Sequence, residues 1–213
     1  MTANQTRADG ALIAAATGLA LVLMLHHPTS LSTTHDDGQF LSDWSNGFVH
    51  AAMIGCLLAL AIGFDGVKRR LDQTLILTRS GTLLLGAGFL ALAGAALVNG
   101  FATGRLLAST SDPAIREAGG HTFWALNQSL DALGTMLVAL GAAAWSPGLW
   151  RLSNAGRVAA VLGIALLGLA LWHTTTDGGF GLRVAVAAMA AFAVWSLAVA
   201  ATIVLTRPDG GIE

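Results

Sequence analysis

The chain has 213 residues, of which 54% are hydrophobic and only 11% are charged. Soluble proteins carry about 25% charged residues, so the composition excludes an ordinary soluble domain and indicates a membrane-embedded chain. The formal net charge of −1 and the lack of a long basic stripe exclude a nucleic-acid partner. The single cysteine, Cys56, excludes an internal disulfide and is expected to be a small buried residue.

Six long apolar segments follow one another along the chain. A membrane-spanning helix needs about 20 mostly apolar residues, whereas a barrel strand has about ten residues of alternating polarity. The segments cover residues 10–27, 47–64, 80–102, 121–145, 156–173 and 182–205. The prolines are expected in connections or tails, where a missing amide donor costs little; they are Pro28, Pro113, Pro147 and Pro208. We predict an all-α bundle of six transmembrane helices that forms a single domain over residues 1–213.

The first segment has the length of a signal peptide, and Arg7 precedes its apolar part. It ends in His-His-Pro-Thr, however, and no A-x-A cleavage site follows. We therefore expect this segment to remain as the first helix of the bundle.

Basic residues are divided unequally between the two sets of connections that six alternating helices create. One set holds eight: Arg7, Lys68, Arg69, Arg70, Arg79, Arg151, Arg157 and Arg207. The other holds three: Arg105, Arg116 and Arg183. Because cytoplasmic loops are enriched in Lys and Arg, we predict a bacterial-type inner-membrane protein with both termini in the cytoplasm. The outer face is then acidic, with Asp36, Asp37, Asp43, Asp112, Glu117 and Asp177.

Tryptophans fall near both predicted interfaces, as aromatic belts do. Trp44, Trp124 and Trp172 are expected at the outer interface, and Trp145, Trp150 and Trp195 at the inner one. Small residues at four-residue spacing predict close helix packing. They are Ala87, Ala91 and Ala95 in the third segment, and Ala14 and Gly18 in the first.

All six histidines belong to the predicted periplasmic side. They are His26, His27, His35, His50, His121 and His173. Neutral imidazole binds zinc, copper, iron and nickel, and helical bundles build metal sites from facing side chains. Since four separate helices each present one histidine, we predict a transition-metal site (copper, iron or zinc) formed by His27, His50, His121 and His173. The alternative is that each histidine is only an interfacial polar residue.

Other residues near these histidines are candidates to support the metal. Met24 and Met53 lie three residues from His27 and His50, on nearly the same helix faces. Mixed His and Met ligands favour Cu(I), although Met is also a common packing residue. Further candidates are His26, His35, Asp36 and Asp37, the last three in the long first outer loop, and Asp177, four residues after His173. A second outer loop over 103–120 is expected to bring Asp112 and Glu117 to the same face.

Asp131 is predicted to lie deep in the membrane, ten residues and about 15 Å beyond His121. An ionised carboxylate there costs at least ~2.5–3.5 kcal/mol, so intramembrane acids are expected to be protonated, paired or functional. Other polar residues accompany it: Asn99, Asn127, Gln128 and Thr135. This stripe is a candidate proton relay or ion site. Its alternative is a neutral Asp hydrogen-bonded between helices.

The favoured function is therefore a membrane metalloprotein that performs redox chemistry or metal handling at the periplasmic face. As an enzyme it would be a metal-dependent oxidoreductase. One alternative is a proton- or ion-coupled transporter that uses Asp131. Another is a b-type cytochrome, with two of the four histidines binding haem b and a quinone or another small molecule as its partner. A homo-oligomer or an accessory subunit of a larger membrane complex is also compatible with the small-residue helix faces.

Overall fold

The computed structural model describes residues 3–27, 45–175 and 182–205, and every regular element in these ranges is helical. The elements are α1 Ala3–Leu25, α2 Asn46–Lys68, α3 Ile76–Leu97, a π-helical segment Val98–Ala102, α4 Thr103–Ser109, α5 Pro113–Leu152, α6 Asn154–Thr175 and α7 Leu182–Leu205. Six helical stretches are long and apolar enough to cross a membrane, with α3 counted together with the segments to Ser109. The predicted all-α class is confirmed, and so is the number of helices that are long and apolar enough to span a membrane.

The largest differences from the prediction concern α5, which has 40 residues. The expected loop over 103–120 is wrong, because α4 and the first turns of α5 occupy nearly all of it. Asp112 starts α5 by accepting a hydrogen bond from the Ala114 amide, and Pro113 follows at the first helical position. Pro147 lies inside α5 rather than in a connection. Pro147 removes one amide donor from the last turns of α5.

The six spanning helices form a closed ring. Each packs against two neighbours in the order α1, α2, α3, α5, α6, α7 and back to α1. At one end of the ring, the side chain of Arg70, two residues after α2, hydrogen-bonds to Thr6 of α1 and to the Ile203 carbonyl of α7. We call this end, which also carries Lys68 and Arg69, the basic end. The opposite end, with His27 and His50, is called the histidine end.

The outer surface of the ring is strongly apolar. Large hydrophobic side chains such as Leu58, Leu83 and Leu90 are more than 60% exposed. Soluble monomers rarely expose continuous apolar surface on this scale, and a lipid bilayer is the environment that would cover it.

Five aromatic rings fill the interior of the ring towards its basic end. They are Phe64 of α2, Phe89 of α3, Trp145 of α5, and Phe192 and Trp195 of α7, and we call them the aromatic plug. Centroid distances from Phe64 to the other four rings range from 5.3 to 6.5 Å, as in aromatic pairs generally. Trp145 and Trp195 are 1% and 0% exposed, so they do not face lipid as the residues of an aromatic belt do. Trp145 can be buried because its indole donates to the Thr78 carbonyl at 3.2 Å.

Two pairs of glycines bring the backbones of α3 and α5 into direct contact. A Cβ atom on Gly88 would lie 2.9 Å from the Gly134 carbonyl oxygen, and one on Gly81 would lie 2.9 Å from the Gly141 carbonyl oxygen. Among the small residues predicted for close packing, Ala95 is buried and Ala14 packs against the core, whereas Ala87 is exposed. Gly18 likewise has no neighbour within 4 Å of an added Cβ. In this helix pair the close contact recurs every seven residues.

Candidate functional site

A central cavity of about 690 Å³ lies between the aromatic plug and the histidine end. All six spanning helices contribute to its lining, and Phe192 of the plug belongs to its floor. Gly120 and Phe123 of α5 line it near the histidine end, whereas Val138 lines it far deeper. The ring therefore forms a cup that is filled by aromatic side chains at the basic end.

His27 and His50 meet at this cavity. Their Nε2 atoms are 3.2 Å apart and their ring centroids 4.9 Å apart, with an angle of 71° between the rings. His50 is buried, with 4% of its surface exposed. Its Nδ1 atom lies 2.8 Å from the Asn46 carbonyl oxygen. A carbonyl only accepts hydrogen bonds, so Nδ1 carries the proton, and Nε2 of the neutral ring points its lone pair at His27.

The π-helical segment holds His50 in this position. Asn46, one turn before His50, donates from its side-chain amide to the Asn99 carbonyl at 2.9 Å. Gly100 packs directly on the imidazole: an added Cβ would overlap the His50 Cβ and lie 2.8 Å from its Cγ. Interruptions of this kind inside α-helices are frequent at functional sites. Asn46 and Gly100 were not predicted as site residues. For Gly100 the sequence contained one signal, since the Asn99-Gly100 pair interrupts an apolar segment.

Sulfur atoms accompany the two histidines. Met24 and Met53, predicted as supporting residues, both line the central cavity, as does Cys56 one turn beyond Met53. These side chains are buried or half-buried. Three residues with soft donor atoms therefore line the same cavity as the histidine pair.

The predicted intramembrane polar stripe faces the same cavity. All five of its members, Asn99, Asn127, Gln128, Asp131 and Thr135, line the cavity. Thr17 of α1, which was not predicted, lines it as well. The His27–His50 pair and the polar stripe around Asp131, which seemed independent in the sequence, thus line the same central cavity.

The other described histidines are not part of this chamber. The His121 side chain is 78% exposed and its Nε2 lies 4.0 Å from a Glu117 oxygen. Gly120, the preceding residue, faces the cavity, and one residue further along a helix turns the side chain by about 100°. His173 is half-buried, and its Nε2 has no hydrogen-bond partner among the described residues. His26 follows α1, and its amide donates to the Val22 carbonyl at 3.2 Å.

The four-histidine set is consequently divided. Within residues 3–27, 45–175 and 182–205, the structure brings together no group of three or more His, Cys, Asp or Glu residues that could hold a metal. His27 and His50 are paired, whereas His121 and His173 lie elsewhere. The remaining supporting candidates, His35, Asp36, Asp37 and Asp177, lie outside the described residues.

Comparisons with known proteins found no relative of this chain. The chain matches no protein-family model, no curated protein and no solved structure.

Proposed function

We propose that the protein is a multi-pass protein of a bacterial-type inner membrane whose central cavity binds a transition-metal ion through His27 and His50. The bound metal would serve redox chemistry or metal handling at the periplasmic face. The orientation, with both termini cytoplasmic, is supported by the excess of Lys and Arg at the basic end. Exposed Trp124 and Trp172, near the histidine end, are compatible with an outer interface.

The separation of the two Nε2 atoms carries this proposal. Two imidazoles on one tetrahedral metal, with bonds of ~2.0–2.1 Å, place their nitrogens roughly 3.3–3.4 Å apart. The observed distance of 3.2 Å is close to that value. Two bare lone pairs would repel each other at this distance, so a proton or a metal ion must lie between them. The Asn46 carbonyl on His50 Nδ1 is the kind of partner that orients metal-binding histidines.

Copper(I) is the metal that the surroundings favour. Thioether and thiol sulfur select soft ions such as Cu(I), and Met24, Met53 and Cys56 line the same cavity. Haem fits this histidine pair less well. Two imidazoles on opposite faces of one iron would be about 4 Å apart with metal–nitrogen bonds of ~2.0 Å, and a porphyrin would have to separate rings that are in contact.

Replacement of either paired histidine tests the metal site. His27→Ala and His50→Ala are each expected to weaken Cu(I) binding by at least about tenfold, because each removes an imidazole ligand. Binding is measured by competition with a chromophoric Cu(I) chelator, using protein in lipid nanodiscs, together with elemental analysis of the purified protein.

His121→Ala is the matched control, since His121 is exposed and lies outside the cavity. It should bind copper like the unmodified chain. Equal copper affinity in all three variants would refute the site. A Soret band in the same preparations after haem-replete expression would favour the cytochrome alternative instead.

Ion-coupled transport is a second candidate, favoured by the position of Asp131 in the same chamber as the histidine pair. Acids within membrane spans commonly act as proton relays or ion ligands. Asp131→Asn keeps the side-chain shape but removes the charge, and it is expected to abolish the pH dependence of Cu(I) uptake into proteoliposomes while copper binding persists. Uptake with an unchanged pH profile would exclude this role for Asp131.

A further inference from the structure

The central cavity is far larger than a metal ion requires. Its volume of about 690 Å³ falls within the ~300–1,000 Å³ typical of small-molecule sites. It is also elongated: Gly120 and Val138 of α5 both line it, and 18 residues of helix correspond to about 27 Å. The histidine pair occupies only the mouth, so most of this space is available to an organic molecule.

The deep part of the lining is mainly apolar. Its hydrophobic members include Leu57, Leu60, Leu92, Val138, Leu166 and Phe192. Phe123 adds an aromatic face nearer the mouth. Such walls suit a ligand with a large apolar or aromatic body, and aromatic faces also attract cations.

Asp131 determines which charge the ligand should carry. Its carboxyl group lines the cavity and has no hydrogen-bond or ion-pair partner among the described residues. No Lys or Arg occurs among the described residues that line the cavity. An ionised carboxylate in apolar surroundings is strongly disfavoured unless a cation accompanies it. A ligand that brings a positive charge would supply that partner.

The composition of the histidine end favours the approach of cations. The connecting segments 28–44 and 176–181 contain Asp36, Asp37, Asp43 and Asp177 and no Lys or Arg. Acidic residues around the mouth of a low-dielectric cleft raise the local concentration of positively charged ligands. The acidic composition of these two connections and the Asp131 carboxyl group in the cavity therefore favour the same class of molecule.

We propose that the central cavity binds a lipophilic organic cation, such as a protonated amine with an apolar or aromatic body. Its positive group pairs with Asp131, and its body packs against Phe192 and the neighbouring leucines. This second ligand is independent of the metal at His27 and His50, which lie nearer the mouth.

Two fluorescent lipophilic dyes that differ in charge test the proposal in lipid nanodiscs, with empty nanodiscs as the baseline. Rhodamine 6G is a cation and Nile red is uncharged. Asp131→Asn is expected to weaken rhodamine 6G binding by about tenfold or more, because an interaction with a charged group is lost. Nile red binding should stay within about twofold, since the cavity keeps its shape.

Three further variants separate the possible outcomes. Glu117→Gln removes an exposed acid outside the cavity and should leave both dyes unaffected. Ala188→Phe fills part of the cavity lining and should weaken both dyes. His50→Ala should lose copper but retain rhodamine 6G, so failure of the metal site and failure of the cation site are distinguishable. The proposal is overturned if Asp131→Asn binds rhodamine 6G like the unmodified chain, or if Ala188→Phe leaves both dyes unaffected.

Discussion

Gly88→Ala is expected to lower the free energy of unfolding by about 1–3 kcal/mol, the usual cost of forcing a methyl group into a packed interior. The new Cβ would lie 2.9 Å from both the Gly134 oxygen and the Val138 nitrogen. These atoms belong to the backbone of α5, so the clash cannot be relieved by rotating a side chain. The helices must separate to relieve the clash, because Gly81 and Gly141 hold the same two backbones equally close one contact further along. Denaturant unfolding in mixed micelles gives the free energy.

Gly86→Ala provides a matched control on the same helix, because no atom lies within 4 Å of its added Cβ. It is expected to be neutral or to stabilise the protein by up to about 1 kcal/mol, since Ala has the higher helix propensity. Gly134→Ala should resemble Gly88→Ala, and the double variant should cost less than the sum because the two residues share one contact. Equal stability of Gly88→Ala and Gly86→Ala would show that this helix contact is absent.

Gly100→Ala is expected to weaken Cu(I) binding by about tenfold to a hundredfold, the range seen when a residue that orients a metal-binding histidine is changed. The added methyl would overlap the His50 side chain, so the imidazole must turn away from His27. No atom of the proposed ligands is removed. The same chelator competition used for the histidine variants measures the loss.

Gly104→Ala is the control for this change, since its added Cβ meets nothing within 4 Å and it lies only four residues further along the same chain segment. It should keep the copper affinity of the unmodified protein. If Gly100→Ala also binds copper normally, the packing of the π-helical segment on His50 does not position the ligand, and that part of the proposal fails.

The cup-shaped interior connects these predictions. The aromatic plug fills the basic half of the ring, while the other half is lined by the histidine pair, the polar stripe and apolar walls. The glycine contacts between α3 and α5 hold Asn99, in the π-helical segment that follows α3, and Asp131 of α5 around the same space. The fold therefore places the His27–His50 pair near the mouth and the Asp131 carboxyl group further inside.

Much of this architecture could be predicted from the sequence. Helix number and approximate position follow from hydropathy, because a backbone in lipid must satisfy its hydrogen bonds within each helix. The length of α5 was underestimated, since its first turns are polar and carry Arg116 and Glu117. The polar stripe was found because Asn127, Gln128, Asp131 and Thr135 recur within about two helical turns, and the structure places all four on the cavity.

The sequence by itself determined the helical class, the six apolar spans and the presence of His, Met and Asp side chains at particular depths, because hydropathy and helical rise depend only on local order along the chain. Only the tertiary structure decided which of those side chains face each other. It paired His27 with His50, turned His121 outward and buried Trp145. The rotation of each helix about its axis is set by packing with its neighbours, and here the contacts of Gly88 with Gly134 and of Gly100 with His50 set it.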